Sequence, residues 1–112
     1  MPEQHRRDIL AEVTFLATAE GGRATPALTG YRPQLWYDDV GWSAMHEYID
    51  VPSVAPGQTA RAFLTFMSPE RHIGKLSAGQ PFLLREGSRV IGTGKMIEIL
   101  NPELKADNTT AS

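Results

Sequence analysis

The sequence predicts an all-β domain, a small barrel or a sandwich, on three observations. Eight prolines and ten glycines divide the chain into short runs. Residues 9–18 alternate between apolar and polar positions, and Thr59 to Met67 is a β-branched and aromatic run. Near the end, Pro81 to Glu86 and Arg89 to Leu100 meet at Gly87-Ser88, a short hairpin signal. At 112 residues one domain is expected, with one modest hydrophobic core that needs no covalent staples.

The elements follow in chain order. Ile9, Ala11, Val13, Phe15 and Ala17 share one face of the first run, while Glu12, Thr14 and Thr18 face the other, so Val13 and Phe15 are core candidates. A loop from Ala19 to Gly30 comes next, with glycines that allow backbone angles closed to other residues. In the run Tyr31 to Tyr37, Pro33 cannot donate to a sheet ladder and marks an edge or the strand's start. Ser43 to Val51 reads two ways, because Trp42, Met45, His46 and Ile49 also fit helical spacing. Pro56-Gly57 is a turn, and Pro69 to Gln80 is a long connection with a helical turn expected near Glu70 to Ile73. Parity breaks between Ile91 and Ile97, so a bulge is expected at Gly92 or Gly94.

Composition narrows the function. Hydrophobic content of 41% and charge of 21% are those of ordinary globular domains. No apolar run approaches the ~20 residues that cross a bilayer, so no membrane partner is expected. The charged start Met1-Pro2-Glu3-Gln4-His5-Arg6-Arg7-Asp8 has no uninterrupted apolar region behind it and does not read as a secretory signal. Without cysteine there are no disulfides, thiol nucleophiles or thiolate metal sites, which fits a reducing cytoplasm. The 11 basic residues are scattered and outnumbered by 13 acidic ones, so general affinity for nucleic acid does not follow, although a local basic patch does not conflict with it.

Two stretches carry a family resemblance. Residues 20–34 read Glu-Gly-Gly-Arg-Ala-Thr-Pro-Ala-Leu-Thr-Gly-Tyr-Arg-Pro-Gln, and residues 85–94 read Arg-Glu-Gly-Ser-Arg-Val-Ile-Gly-Thr-Gly. The first resembles the loop that opens the C-terminal β-barrel domain of bacterial translation elongation factor Tu; the second resembles that domain's last hairpin. The likeness implies a six-stranded antiparallel closed β-barrel over residues 9–100 and places residues 43–51 in a strand. Residues 1–8 are then an N-terminal segment, and 101–112 a polar tail expected to be disordered.

In the family this barrel is not catalytic. It grips the T-stem backbone of aminoacyl-tRNA, packs on the GTPase domain and helps receive the nucleotide-exchange factor. The GTPase domain and middle barrel have no room in 112 residues. No Gly-Lys-Ser/Thr follows a glycine-rich run, and Gly92-Thr93-Gly94 falls inside a strand, so GTP is not an expected ligand and no cofactor is implied. The family's Arg-Glu-Gly turn is retained as Arg85-Glu86-Gly87, but its Phe-Tyr-Phe-Arg-Thr-Thr-Asp stretch becomes Leu35-Trp36-Tyr37-Asp38-Asp39. Carboxylates thus stand where hydroxyl and cationic groups would meet phosphate. A third family element, Lys or His before the fourth strand's exit proline, is Ser68, with Arg71 and His72 just beyond.

The leading expectation is a non-catalytic, stand-alone module that docks a protein partner, one form being a protein that recognises the elongation factor. The resemblance assigns this to the loop residues Gly21, Gly22, Arg23 and Thr25; Tyr31, Arg32 and Gln34 add a recognition edge because Tyr and Arg are favoured interface anchors, and Trp36, where exposed, offers a site for a new partner. The bland readings are that the loop closes a barrel end, with Arg23 tying down carbonyls, and that Tyr31, Trp36 and Trp42 fill the core. The alternative is a tRNA- or RNA-binding module using Arg85, Glu86, Gly87, Arg71 and Arg89, with Lys75 nearby; here the bland reading is a solvated hairpin tip. Aromatic surface without neighbouring domains also admits a homodimer. His5, His46 and His72 lack metal-like spacing and are expected at the surface, and Asp38-Asp39 reads as a turn rather than a cation site. No set of residues supports an enzyme.

Overall fold

The computed structural model describes residues 6–106. Eight strands form: β1 Ile9–Phe15, β2 Ala27–Leu28, β3 Gln34–Tyr37, β4 Val40–Tyr48, β5 Ser53–Val54, β6 Thr59–Phe66, β7 Pro81–Glu86 and β8 Arg89–Ile99. Six of them close a barrel in the order β1-β6-β4-β3-β7-β8, and β2 pairs with β5 outside it. Every barrel pairing is antiparallel, as the family resemblance implies.

The alternation of β1 builds one wall of the core. Ile9, Ala11, Val13 and Phe15 are buried, against Leu64 and Ala62 of β6 and Met96 of β8. Six strands enclose little width, so small side chains must offset large ones. Ala11 lies opposite Ala62, and Gly94 leaves room for the Phe82 ring, which a Cβ there would approach to 2.2 Å. Each large core side chain, such as Phe15, Leu35, Phe66 or Leu84, contributes about 1.5–3 kcal/mol by leaving water.

Several boundaries differ from the sequence expectation, each for a local reason. β1 stops at Phe15, and Thr18–Glu20 forms a 3₁₀ turn ended by Gly21 at φ 97°. β3 begins only after Pro33, which has no N–H for the ladder. Residues 40–48 are a strand, and Asp50 at φ 67° turns the chain before Pro52. The helical turn of the long connection is a 3₁₀ turn over Pro69–His72. The bulge falls beside Gly92: Leu84 pairs with Gly92 and Arg85 with Val90, leaving Ile91 as the extra residue, while Gly94 holds an ordinary rung. A second shift, opposite Leu10 and Ala11, leaves Ile97 unpaired and returns Ile99 to the core.

The expected disordered tail does not hold for residues 101–106. Asn101 caps a 3₁₀ turn over Pro102–Leu104, Leu104 is buried, and Leu76 bridges to Lys105. Residues 107–112 lie outside the described residues. The N-terminal segment is also built in at its last position. Asp8 is fully buried, and its carboxylate accepts from Phe66 N at 2.8 Å, Asn101 Nδ2 at 3.0 Å and Arg6 Nε at 3.0 Å.

Two ends follow from this topology. At the upper end β1, β4 and β7 finish, and the β7–β8 hairpin turns. At the lower end β1 and β7 begin, β6 and β8 finish, and residues 67–80 and 100–106 cross.

Candidate partner-binding surface

The upper end is covered by the loop between β1 and β3. A Cβ at Gly22 would lie 2.0 Å from the Leu16 carbonyl oxygen, and Gly21 holds a positive φ, so both glycines are needed to fold the loop back. Their turn delivers Arg23 to Tyr31, with the guanidinium carbon 4.4 Å from the ring centroid. Arg23 then donates from Nε to Thr25 O at 3.2 Å and from Nη2 to Thr25 Oγ1 at 3.2 Å, while Nη1 pairs with Glu86 of β7. The Tyr31 hydroxyl donates to the same Glu86 carboxylate, and Arg89 Nη2 approaches its other oxygen at 3.4 Å.

Glu86 is therefore the pin between loop and barrel. The Tyr31 hydrogen bond, opposed by burial and reinforced by Arg23 and Arg89, holds its carboxyl below the usual carboxylate range. Burial and that same hydrogen bond push the Tyr31 phenol up. Burial works against the charge of Arg23, but Tyr31 and Glu86 outweigh it and raise its pKa. All three groups keep their functional protonation states near neutral pH. Next to this lock lies a depression lined by Arg23, Thr25, Pro26, Leu28, Thr29 and Tyr31. Leu28, on β2, is 62% exposed there.

A second surface lies on the outer face of β3 and β7. Gln34, Trp36, Leu83 and Arg85 all point outward, with Gln34 opposite Arg85 and Trp36 opposite Leu83. The Trp36 indole lies over Gly41, where a Cβ would come within 2.5 Å of the ring. Arg85 stacks on the ring at 4.2 Å, and indole Nε1 donates to Gln34 Oε1 at 3.0 Å. Trp42 instead turns inward and packs against the core. Asp38 and Asp39, at φ 52° and 64°, form the tight β3–β4 turn, a conformation Asp tolerates better than most residues. Pro81, Phe82, Leu83 and Arg85 complete a groove of about 360 Å³ with Trp36, Tyr37 and the Asp pair.

The remaining expected residues are placed apart. Arg32 is exposed, with Nη1 3.6 Å from Met67 Sδ. Gly87, at φ 61°, makes the β7–β8 turn. Arg85 and Arg89 flank that turn, but Arg71 and Lys75 stand in the crossing segment at the lower end. The RNA-binding set is thus divided between the two ends.

His46 and His72 are not surface histidines; both are fully buried, and His5 lies outside the described residues. His46 Nδ1 shares a hydrogen bond with the Tyr48 hydroxyl at 3.0 Å, among the rings of Phe15 and Tyr31. His72 Nδ1 meets the Tyr37 hydroxyl at 2.6 Å, and its ring stacks on Phe66 at 3.9 Å. Burial lowers their pKa values to about 3 and about 4, so both are neutral. In β4, Ala44, His46 and Tyr48 occupy alternate inward positions, a signal hidden while that run also fitted a helix. No local signal marks the buried Asp8. Among the described residues no cluster of His, Asp and Glu is arranged to hold a metal ion, and no helix is long and apolar enough to cross a membrane.

The fold is thus a closed six-stranded antiparallel barrel whose opening loop is pinned to its last hairpin. The elongation factor Tu C-terminal domain family matches residues 2–100, nearly the whole of the 112-residue sequence, and the chain belongs to that family.

Proposed function

We propose that the chain is a non-catalytic docking module of the cytoplasm that binds a protein partner through its upper end. The carrying observation is the lock of Arg23 and Tyr31 onto Glu86, which holds the loop in one conformation beside the exposed Leu28. A preformed surface loses less entropy on association than a flexible one, and an apolar anchor within a polar rim is the usual make-up of a protein interface. The non-catalytic reading draws on the two described histidines, which are fully buried and bonded to tyrosines and so are closed to a substrate.

The second reading, RNA binding, draws on Arg85 and Arg89 at the hairpin. It is weakened because Arg89 and Arg23 already neutralise Glu86, and because Asp38 and Asp39 oppose phosphate. The test is affinity capture from extract of the source cells, with and without ribonuclease and at rising salt. Docking predicts a stoichiometric protein that survives ribonuclease and moderate salt. RNA binding predicts recovered tRNA, with affinity falling steeply as salt rises.

A further inference from the structure

We propose that His46 is a proton-operated latch beneath the upper loop. The returning arm of that loop, Thr29 to Tyr31, closes over the neutral imidazole and lifts when the ring takes up a proton.

The arm is fastened to two neighbouring inward residues of β4. His46 N donates to Tyr31 O at 2.9 Å, and Gly30 N donates to His46 O at 2.8 Å. Tyr48 N donates to Thr29 Oγ1 at 3.1 Å, and the Tyr48 hydroxyl shares the bond to His46 Nδ1. The Tyr31 ring meets the imidazole edge-on at 5.9 Å. Phe15 and Tyr48 add rings at 6.4 Å and 5.6 Å, and both belong to barrel strands. Tyr31 belongs to the loop, so its ring is the wall that can move.

The enclosure suits a neutral ring and not a charged one. Nε2 is buried and makes no hydrogen bond among the described residues. In the neutral ring that costs one unmade bond, whereas an imidazolium would bury a charge with an unpartnered N–H. The surrounding elements offer no free carboxylate. β1 supplies Phe15, β6 supplies Leu64 on the opposite rung, and β7 and β8 bring the apolar Leu84 and Ile91 inward. The titratable groups are the phenols of Tyr31 and Tyr48, with Arg23 and Glu86 beyond Tyr31 and already paired to each other. Glu47, next to His46 on β4, pairs with Arg7 on the outer face. Burial alone accounts for the lowering of the His46 pKa to about 3.

Opening the arm is a local event. It breaks the bonds to His46 and Tyr48 and the partly exposed contacts of Tyr31 and Arg23 with Glu86, and it leaves the barrel ladder paired. Segments held by so few contacts open far more often than the whole domain unfolds. Once uncovered, the hydrated imidazole titrates near 6.5, so below that pH opening takes up a proton and becomes about tenfold more frequent per pH unit. Above pH 6.5 the closed form keeps its full advantage. Lifting Tyr31 also removes a wall of the depression beside Leu28. Loss of docking in acid would rest on the proposed function; the latch itself does not.

The experiment is amide hydrogen exchange of the full chain by NMR at pH 7.5 and 5.0, each rate divided by the intrinsic chemical rate. Protection of the Gly30, His46 and Tyr48 amides should fall about thirtyfold between the two, yet stay below that of the β1–β6 ladder at both. Tyr31, Arg23 and Glu86 keep their protonation states over this interval, so the wild-type course reports the histidine. His46→Gln should abolish the fall at Gly30 and Tyr48, and His72→Gln at the other end should leave it unchanged. Protection of these amides that does not vary with pH overturns the proposal, and so does a fall that persists in His46→Gln. Protection equal to that of the ladder at both pH values also overturns it, because the arm would then open only with the whole barrel. The wild-type course can overturn the proposal by itself, whatever the fate of the variants.

Discussion

Each end of the barrel is plugged by a histidine bonded to a tyrosine, His46 with Tyr48 above and His72 with Tyr37 below. The charges around the two plugs are treated in opposite ways. Below, the Asp8 carboxylate is fully buried and ties β6 to the residues after β8. Above, Glu86 retains 33% side-chain exposure, and its partners Arg23 and Arg89 retain 20% and 57%. Desolvated charges must be matched and are costly to disturb, whereas solvent screens the upper cluster, which fixes a position more than it stabilises the fold. The lower end thus closes the structure, and the upper end presents a shape.

The largest effect that would sharpen this contrast belongs to Asp8. In Asp8→Ala the buried Phe66 N–H and Asn101 amide lose their acceptor, and a loss of about 3–5 kcal/mol is expected in urea unfolding. A loss near zero would break the comparison at the lower end.

Acid comes next. Burial lowers the pKa of His46 to about 3 and of His72 to about 4, while the unfolded chain protonates histidine near 6.5. The unfolded state therefore binds more protons in this window. The stabilisation from both neutral histidines is complete above pH 6.5 and is lost as pH falls toward 4. Each histidine contributes a slope of about 1.4 kcal/mol per pH unit there. Urea midpoints between pH 7 and 5 should fall accordingly, and His46→Gln and His72→Gln should each remove about half of the fall. Glu86, whose pKa is lowered, begins to add its own loss as pH falls through the ordinary carboxylate range, so the interval from pH 7 to 5 reports the histidines alone.

Glu86→Gln is a smaller change. After allowance for solvent screening, a cost of about 1 kcal/mol is expected. Amide hydrogen exchange in the loop around Arg23 and Tyr31 should accelerate much more than in the barrel strands. Uniform acceleration would show that the lock supports the whole fold rather than the loop.

The hairpin of β7 and β8 was legible in the sequence because its turn and both flanking runs are local. The core face of β1 was legible because a strict alternation needs no partner to be recognised. The Arg23–Glu86 pin joins residues 63 apart in the chain, and the Trp36–Leu83 rung joins strands that are remote in sequence, so neither shows in a local pattern. The resemblance named Arg23 and Glu86 for different roles; the structure brings them together. Asp8 and the buried histidines were hidden for a related reason. Polar side chains are expected outside, and only their tertiary partners make burial tolerable.

The smallest effect on stability falls on the most informative variant. Leu28→Glu at the upper end and Ile73→Glu at the lower end alter side chains 62% and 54% exposed, so each should change stability by less than about 0.5 kcal/mol. Capture from ribonuclease-treated extract should recover the same stoichiometric protein with the wild-type chain and with Ile73→Glu, and at least tenfold less with Leu28→Glu. Full recovery with Leu28→Glu, or loss with Ile73→Glu instead, would contradict docking at the upper end.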